Sequence, residues 1–197
     1  MSTNSADALI SSLEQFHTAY IDLIGNGDSL MMTEFDSDWL SPCIQLSEES
    51  LATMADGSEV PWKPVKRDAN LNLDNLASAL EIDIDPQLSA LFCSYFSHDL
   101  PARAQRGDLD IIQVWNEDDF ERLQKNLIAH VLMKRRLKQD DTLFFATTDQ
   151  EEFIISLDVK TGNVMLEQVG KVPQEVLAPD IATFISGLTP RPVVASL

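Results

Sequence analysis

The fold class predicted by this sequence is α+β, a single domain. Three observations carry that reading. Apolar residues recur at helical spacing near both ends of the chain, over 5–24 and 179–188. A much longer helical segment, with acids at its start and bases at its end, follows Asn116. Short apolar runs bounded by turn formers lie before and after that segment. Neighbouring runs of this kind pair as antiparallel strands. The expected architecture is a mainly antiparallel sheet packed with a long central helix and with N- and C-terminal helices.

The elements follow in order. SADALISSLEQFHTAYIDLI (5–24) sets Leu9, Leu13, Phe16, Tyr20 and Ile24 on one helical stripe, with His17 packed beside it. GNGD (25–28) ends that helix. Residues 26–70 read as irregular, with three of the nine prolines. Within them CIQL (43–46) is a short strand, and VPWKP (60–64) is a loop anchored on the core by Trp62. EIDID (81–85) alternates strictly and predicts a strand. Its Glu81, Asp83 and Asp85 would form a solvated acidic face, opposite Ile82 and Ile84. PQLSALFCSYF (86–96) is a helix with Pro86 in its first turn.

GDLDIIQVW (107–115) predicts a strand with Leu109, Ile111 and Trp115 on one face and Ile112 and Val114 on the other. Two apolar faces imply a central strand covered on both sides. The long helix begins after Asn116, a good N-cap. Glu117, Asp118, Asp119 and Glu121 occupy its first turns, and Lys134, Arg135, Arg136 and Lys138 its last. Each well-placed charge contributes about 0.3–1 kcal/mol against the helix macrodipole. Phe120, Leu123, Leu127 and Val131 form the buried stripe, with His130 and Met133 beside it. DTLFFAT (141–147) is the next strand, and KTG (160–162) joins FIISLDV and NVMLEQV as a hairpin. PDIATFISGL (179–188) closes the domain, which spans residues 1–190; residues 191–197 form a frayed tail.

Charge narrows the function. The chain holds 32 acids and 14 bases, net −18, with 17 acids and 3 bases in residues 1–100. Such a surface repels phosphate, which disfavours nucleic acid and anionic lipid headgroups. No apolar run approaches the roughly 18–20 residues of a membrane span, and the N-terminus lacks the pattern of a secretory signal. A cytoplasmic protein with a basic protein partner is expected, without cofactor or membrane insertion and as a monomer. Cys43 and Cys93 show no metal spacing and read as free thiols. His17, His98 and His130 form no metal motif. GNG (25–27) lacks the third glycine of a dinucleotide loop. The calcium-loop match at 81–92 fails, with Pro86 for the glycine and Phe92 for the final glutamate. No catalytic constellation emerges, so the reading is non-enzymatic.

Two segments carry a family resemblance: SPCIQLSEE (41–49) and GDLDIIQVWNEDDFERLQKNLIAHVLMKRRLKQDDTLFFAT (107–147). They resemble the SecY-interacting protein Syd family, and the similarity extends over nearly the whole chain. The resemblance implies an α+β fold with an electronegative concave surface. It implies a protein held at the cytoplasmic face of the bacterial inner membrane by binding SecY, the channel subunit of the protein translocase. It implies quality control or negative regulation of that channel. Cytosolic channel loops are rich in Lys and Arg, so acids would meet bases. The motif points to Glu117, Asp118 and Asp119, with Trp115 beside them and Asp108 and Asp110 adjacent. Glu81, Asp83 and Asp85 join them on the strand argument alone. An acidic immunity-type protein that neutralises a basic toxin is the alternative.

Overall fold

A computed structural model describes residues 3–24, 31–67, 71–173 and 175–192 of the chain. In order these form α1 (Thr3–Ile24), β1 (Met31–Glu34), α2 (Glu48–Leu51), β2 (Glu59–Trp62) and β3 (Val65–Lys66). Then come α3 (Asp74–Leu80), α4 (Pro86–Cys93), β4 (Tyr95–Phe96), β5 (Leu100–Ala104) and β6 (Gly107–Ile111). The last are α5 (Glu117–Arg136), β7 (Thr142–Thr148), β8 (Phe153–Asp158), β9 (Val164–Gln168), β10 (Glu175–Ala178), α6 (Ile181–Ser186) and β11 (Thr189–Pro190). Seven strands make one antiparallel sheet in the order β10-β9-β8-β7-β6-β5-β11, and β1–β2 and β3–β4 form two small pairs beside it. The α+β class is the observed one.

Short turns join β5 to β6, β7 to β8 and β8 to β9 as antiparallel neighbours. The β8–β9 turn is the expected one: the Asp158 carboxylate accepts from the Lys160 and Thr161 amides, and Gly162 takes a φ of 73°. Both sheet faces carry helices. The Phe145 ring meets Phe184 of α6 at 5.9 Å between centroids, and α6 packs with α1 and α4. On the other face α5 lies against β7, where His130 meets the Phe144 ring edge-on. The predicted stripes are buried: Leu9, Leu13, Phe16 and Tyr20 on α1, and Phe120, Leu123, Leu127 and Val131 on α5.

Several local expectations are corrected. Residues 81–85 form no strand. Glu81 closes α3 in the left-handed region at φ 55°, and Asp85 caps α4 by accepting from the Gln87 amide at 2.7 Å. Capping by Asp before Pro86 outweighs an alternation that has no partner edge. Strand β6 stops at Ile111 rather than Trp115. It is internal in the sheet, but one face carries half-buried Asp108 and Asp110, because the alternation that buries Leu109 and Ile111 turns the carboxylates outward. CIQL makes a single bridge, Ile44 to Trp62, while residues 59–62 form β2. Pro61 is tolerated there because β2 has one full strand partner, β1, and only the isolated Ile44 bridge on its other edge. At the C-terminus Thr189 and Pro190 pair with β5, and the Arg191 amide donates to Pro101. The GNGD stop (25–28) and residues 193–197 lie outside the described residues.

Lys134 differs most from expectation. It sits on the inward face of α5 and is fully buried, its Nζ donating to Glu167 Oε1 of β9 at 2.7 Å. Thr142 and Ser156 donate to the other oxygen of Glu167, each at 2.6 Å. Because the Thr142 hydroxyl proton is used there, the 3.0 Å contact with His130 requires His130 Nε2 to donate to Thr142. Burial, reinforced by the Lys134 charge and opposed by Glu167, holds the imidazole below its ordinary pKa, so His130 is neutral. Removing one partner of a buried ion pair leaves the other unpaired. Lys134→Met is therefore expected to destabilise the fold by about 3–5 kcal/mol, read as a lowered urea midpoint. The double variant Lys134→Met with Glu167→Gln should recover most of that loss, since Gln still accepts from Thr142 and Ser156.

Candidate functional site

The N-terminus of α5 builds the site. Asn116 accepts from the Asp119 amide at 2.9 Å, and Asp119 reaches back to accept from the Trp115 amide at 2.9 Å. This reciprocal capping satisfies one donor that the first helical turn leaves open and the amide of the residue before the cap. The same residues strap down the segment around Ser41. Asn116 Nδ2 donates to the Leu40 carbonyl, the Trp115 indole donates to the Trp39 carbonyl, and Ser41 Oγ donates to the Trp115 carbonyl. The two stretches that carry the resemblance, 41–49 and 107–147, thus meet at this cap.

Beside the cap lies a groove of about 880 Å³, walled by the end of α1, β1, the Ser97–Pro101 segment, Asp110 of β6, the first turn of α5 and Arg191. All three tryptophans of the chain, Trp39, Trp62 and Trp115, line it. The His98 imidazole stacks on Trp115 at 3.8 Å between centroids and 17° between planes, and Trp62 meets both rings edge-on. Thr33 and His98 Nε2 hold each other at 2.9 Å. Three carboxylates, Asp99, Asp110 and Asp119, face the same space. Two arginines enter it. Arg122 donates to Asp119 at 2.7 Å and lies 5.1 Å over the Trp39 ring; Arg191 donates to Asp110 at 2.5 Å. Exposed Asp22, Glu34, Asp36 and Asp38 lie on α1, β1 and the following turn, elements that also supply groove residues, although none of the four lines the groove itself.

The structure sorts the expected residues into three places. Trp115, Asp119 and Asp110 come together in the groove. Asp108 lies next to it but is forked by Arg103 at 2.6 and 2.9 Å, which holds its carboxyl below the ordinary range. Glu117 points instead to Arg67, a buried cation held between the Phe96 and Phe120 rings, and Asp118 is exposed. Glu81, Asp83 and Asp85 lie between α3 and α4, away from the groove. Sequence reasoning missed Asp99, His98, Trp39 and Arg122, and it read Trp62 first as a loop anchor on the core and only second as part of a binding surface. The scarcity of tryptophan was the available signal, since each of the three sits beside a turn. No spacing could have brought His98 onto Trp115. Among the described residues, no group of three or more His, Cys, Asp or Glu side chains is placed to hold a metal ion. No helix among them is long and apolar enough to cross a membrane.

The groove perturbs its own titrations. Burial lowers His98 to about 4, against a smaller opposing effect of Asp119, so the stacked ring is neutral. Asp99 is reached by solvent yet walled in by protein. That enclosure, with the charges of Asp119 and Asp110, raises its carboxyl to about 6, although the Gln113 amide and Arg122 pull the other way. A raised folded pKa means that the folded state holds the proton more tightly than the unfolded chain, whose value is near 3.8. Ionisation of Asp99 therefore costs stability as pH rises through about 4 to 6. Asp99→Asn is expected to stabilise the protein above pH 6 by about 1 kcal/mol, after allowing for the groove's open side. The gain should vanish below about pH 4 in urea unfolding measured across that range.

Comparison with known proteins places these motifs. Residues 10–190 match the family model described as Syd protein (SUKH-2). Protein Syd of Pseudoalteromonas atlantica is 41% identical over 179 residues, covering 91% of this chain and 94% of that protein. Protein Syd of Alteromonas mediterranea is 42% identical over 178 residues, covering 90% and 94%. Protein Syd of Colwellia psychrerythraea is 37% identical over 205 positions, covering 98% of each. Full-length similarity at this level, joined to the meeting of both motifs at the α5 cap, means that the chain belongs to the Syd protein (SUKH-2) family.

Proposed function

We propose that this protein binds the basic cytosolic loops of SecY, the channel subunit of the bacterial protein translocase. It acts without catalysis and restrains the channel or takes part in its quality control. The observation that carries this reading is the groove, where three tryptophans and three carboxylates converge in a chain of net charge −18. Aromatic rings supply contact area and attract cations through their faces. Carboxylates supply orientation and a fast encounter with a basic surface. Family membership supports the choice of partner.

The reading also accounts for attachment at the cytoplasmic face of the inner membrane. The channel is the anchor, and the protein's acidity opposes direct contact with anionic lipid. Within the groove Asp110, Asp119 and Trp115 contribute to the contact together with Asp99 and His98. Glu117 and Asp108 act chiefly by holding Arg67 and Arg103.

Binding should be salt-sensitive, because exposed charges are screened over about 10 Å at 0.1 M salt. Pull-down from detergent-solubilised membranes is expected to capture SecY at ~0.05 M salt and to lose it towards ~0.5 M. Reversing exposed Asp22, Glu34 and Asp118 to Lys, none of which is ion-paired among the described residues, should weaken capture by about tenfold while the protein stays folded. No capture at low salt by folded protein would remove SecY as the partner. Tight binding to a cationic toxin instead would establish the immunity-type reading.

A further inference from the structure

Two of the three groove carboxylates already hold cations of this chain: Asp119 pairs with Arg122, and Asp110 with Arg191. Arg122 is instructive because its guanidinium lies over the Trp39 indole while it donates to a carboxylate. The groove therefore contains one example of an arginine seated between an aromatic face and an acid. Asp99 is the third carboxylate, and it makes no ion pair among the described residues. One of its oxygens accepts from the Gln113 amide at 2.8 Å. Gln113 also lines the groove and is 3% exposed, and its side-chain Oε1 has no donor among the described residues. An unmet buried acceptor costs free energy unless something brings it a donor. Carboxylate, unmet acceptor and the His98–Trp115 stack thus border one open space.

We propose that Asp99, Gln113 and the His98–Trp115 stack form a receptor for one arginine side chain of the basic partner, a reading that rests on the proposed function. A guanidinium is planar, stacks on aromatic rings and presents five donors in a rigid fork. An ammonium is a compact point charge that supplies neither the plane nor the fork. The chain's own precedent at Trp39 and Asp119 is a guanidinium. Arg122 and Arg191 already pair with Asp119 and Asp110, which leaves Asp99 as the groove carboxylate without an ion pair among the described residues.

The test uses the groove's tryptophans, which are all three in the chain, as fluorescent reporters. The full-length protein is titrated at low salt with a short Gly–Arg repeat peptide and with the same peptide carrying neutral citrulline for arginine. The arginine peptide should shift emission saturably, and the citrulline peptide should not. Asp99→Asn should weaken the arginine peptide by about tenfold or more, as expected on losing a charge-assisted pair. Glu151→Gln, in the β7–β8 turn outside the groove, should stay within about twofold. Equal binding of both peptides, or an unchanged affinity in folded Asp99→Asn, would overturn the proposal. Capture of SecY with an unchanged peptide affinity in Asp99→Asn would keep the proposed function and remove this receptor. Asp99-dependent peptide binding without SecY capture would keep the receptor and remove SecY as the partner.

Discussion

An ion pair with no access to water fixes the long helix to the sheet. Lys134 and Glu167 are both fully buried, and both oxygens of Glu167 accept hydrogen bonds. Two hydroxyls complete the shell of Glu167, and a neutral histidine donates to one of them. A buried pair adds little net stability relative to an apolar pair, but it is costly to misalign. It therefore sets where α5 lies along the sheet. The helix cap at Asn116 is 18 residues away, about 27 Å at the helical rise. There Glu117 clamps Arg67 between Phe96 and Phe120, and Asn116 and Trp115 tie down the Trp39–Ser41 segment. The groove is open at the end that these contacts organise.

The groove uses its acids sparingly. Its lining has three carboxylates and two arginines, so under the proposed function most of the attractive field for a basic partner comes from exposed acids outside the groove. That arrangement separates two tasks. On the proposed function, the outer charges draw and orient a basic surface and are screened by salt. On the same reading, Asp99 and the aromatic groups of the groove discriminate between side chains. An unpaired Asp99 raised to about 6 is a stability cost retained at the site, opposite in sign to what its paired neighbour Asp108 gains.

Much of the fold was legible because it rests on local rules. The Asn116 cap, the apolar stripes of α1 and α5 and the Gly162 turn each follow from chemistry within a few residues. The misread elements depended on distant partners. EIDID has the alternation of a strand, but its two ends are claimed as caps by α3 and α4. VPWKP has the prolines of a loop, yet it pairs with β1. Lys134 fits the dipole rule, and only the position of β9 reveals its buried partner. The site divides in the same way. Trp115, Asp119 and Asp110 lie in or beside one motif, so the sequence reading named residues that the fold brings to the groove. Asp99, His98 and Trp39 lie outside it, because the groove is assembled from many separate segments whose meeting no periodicity encodes.

The most direct measurement is site-specific photo-crosslinking to SecY in native membranes from two exposed positions. Met32 lies on the groove wall, and Leu137 lies at the opposite end of α5. The account predicts that a photoreactive residue at Met32 crosslinks to a cytosolic loop of SecY and that one at Leu137 does not. A crosslink from Leu137 with none from Met32 would place the partner on the wrong end of the long helix and contradict the groove as the binding surface.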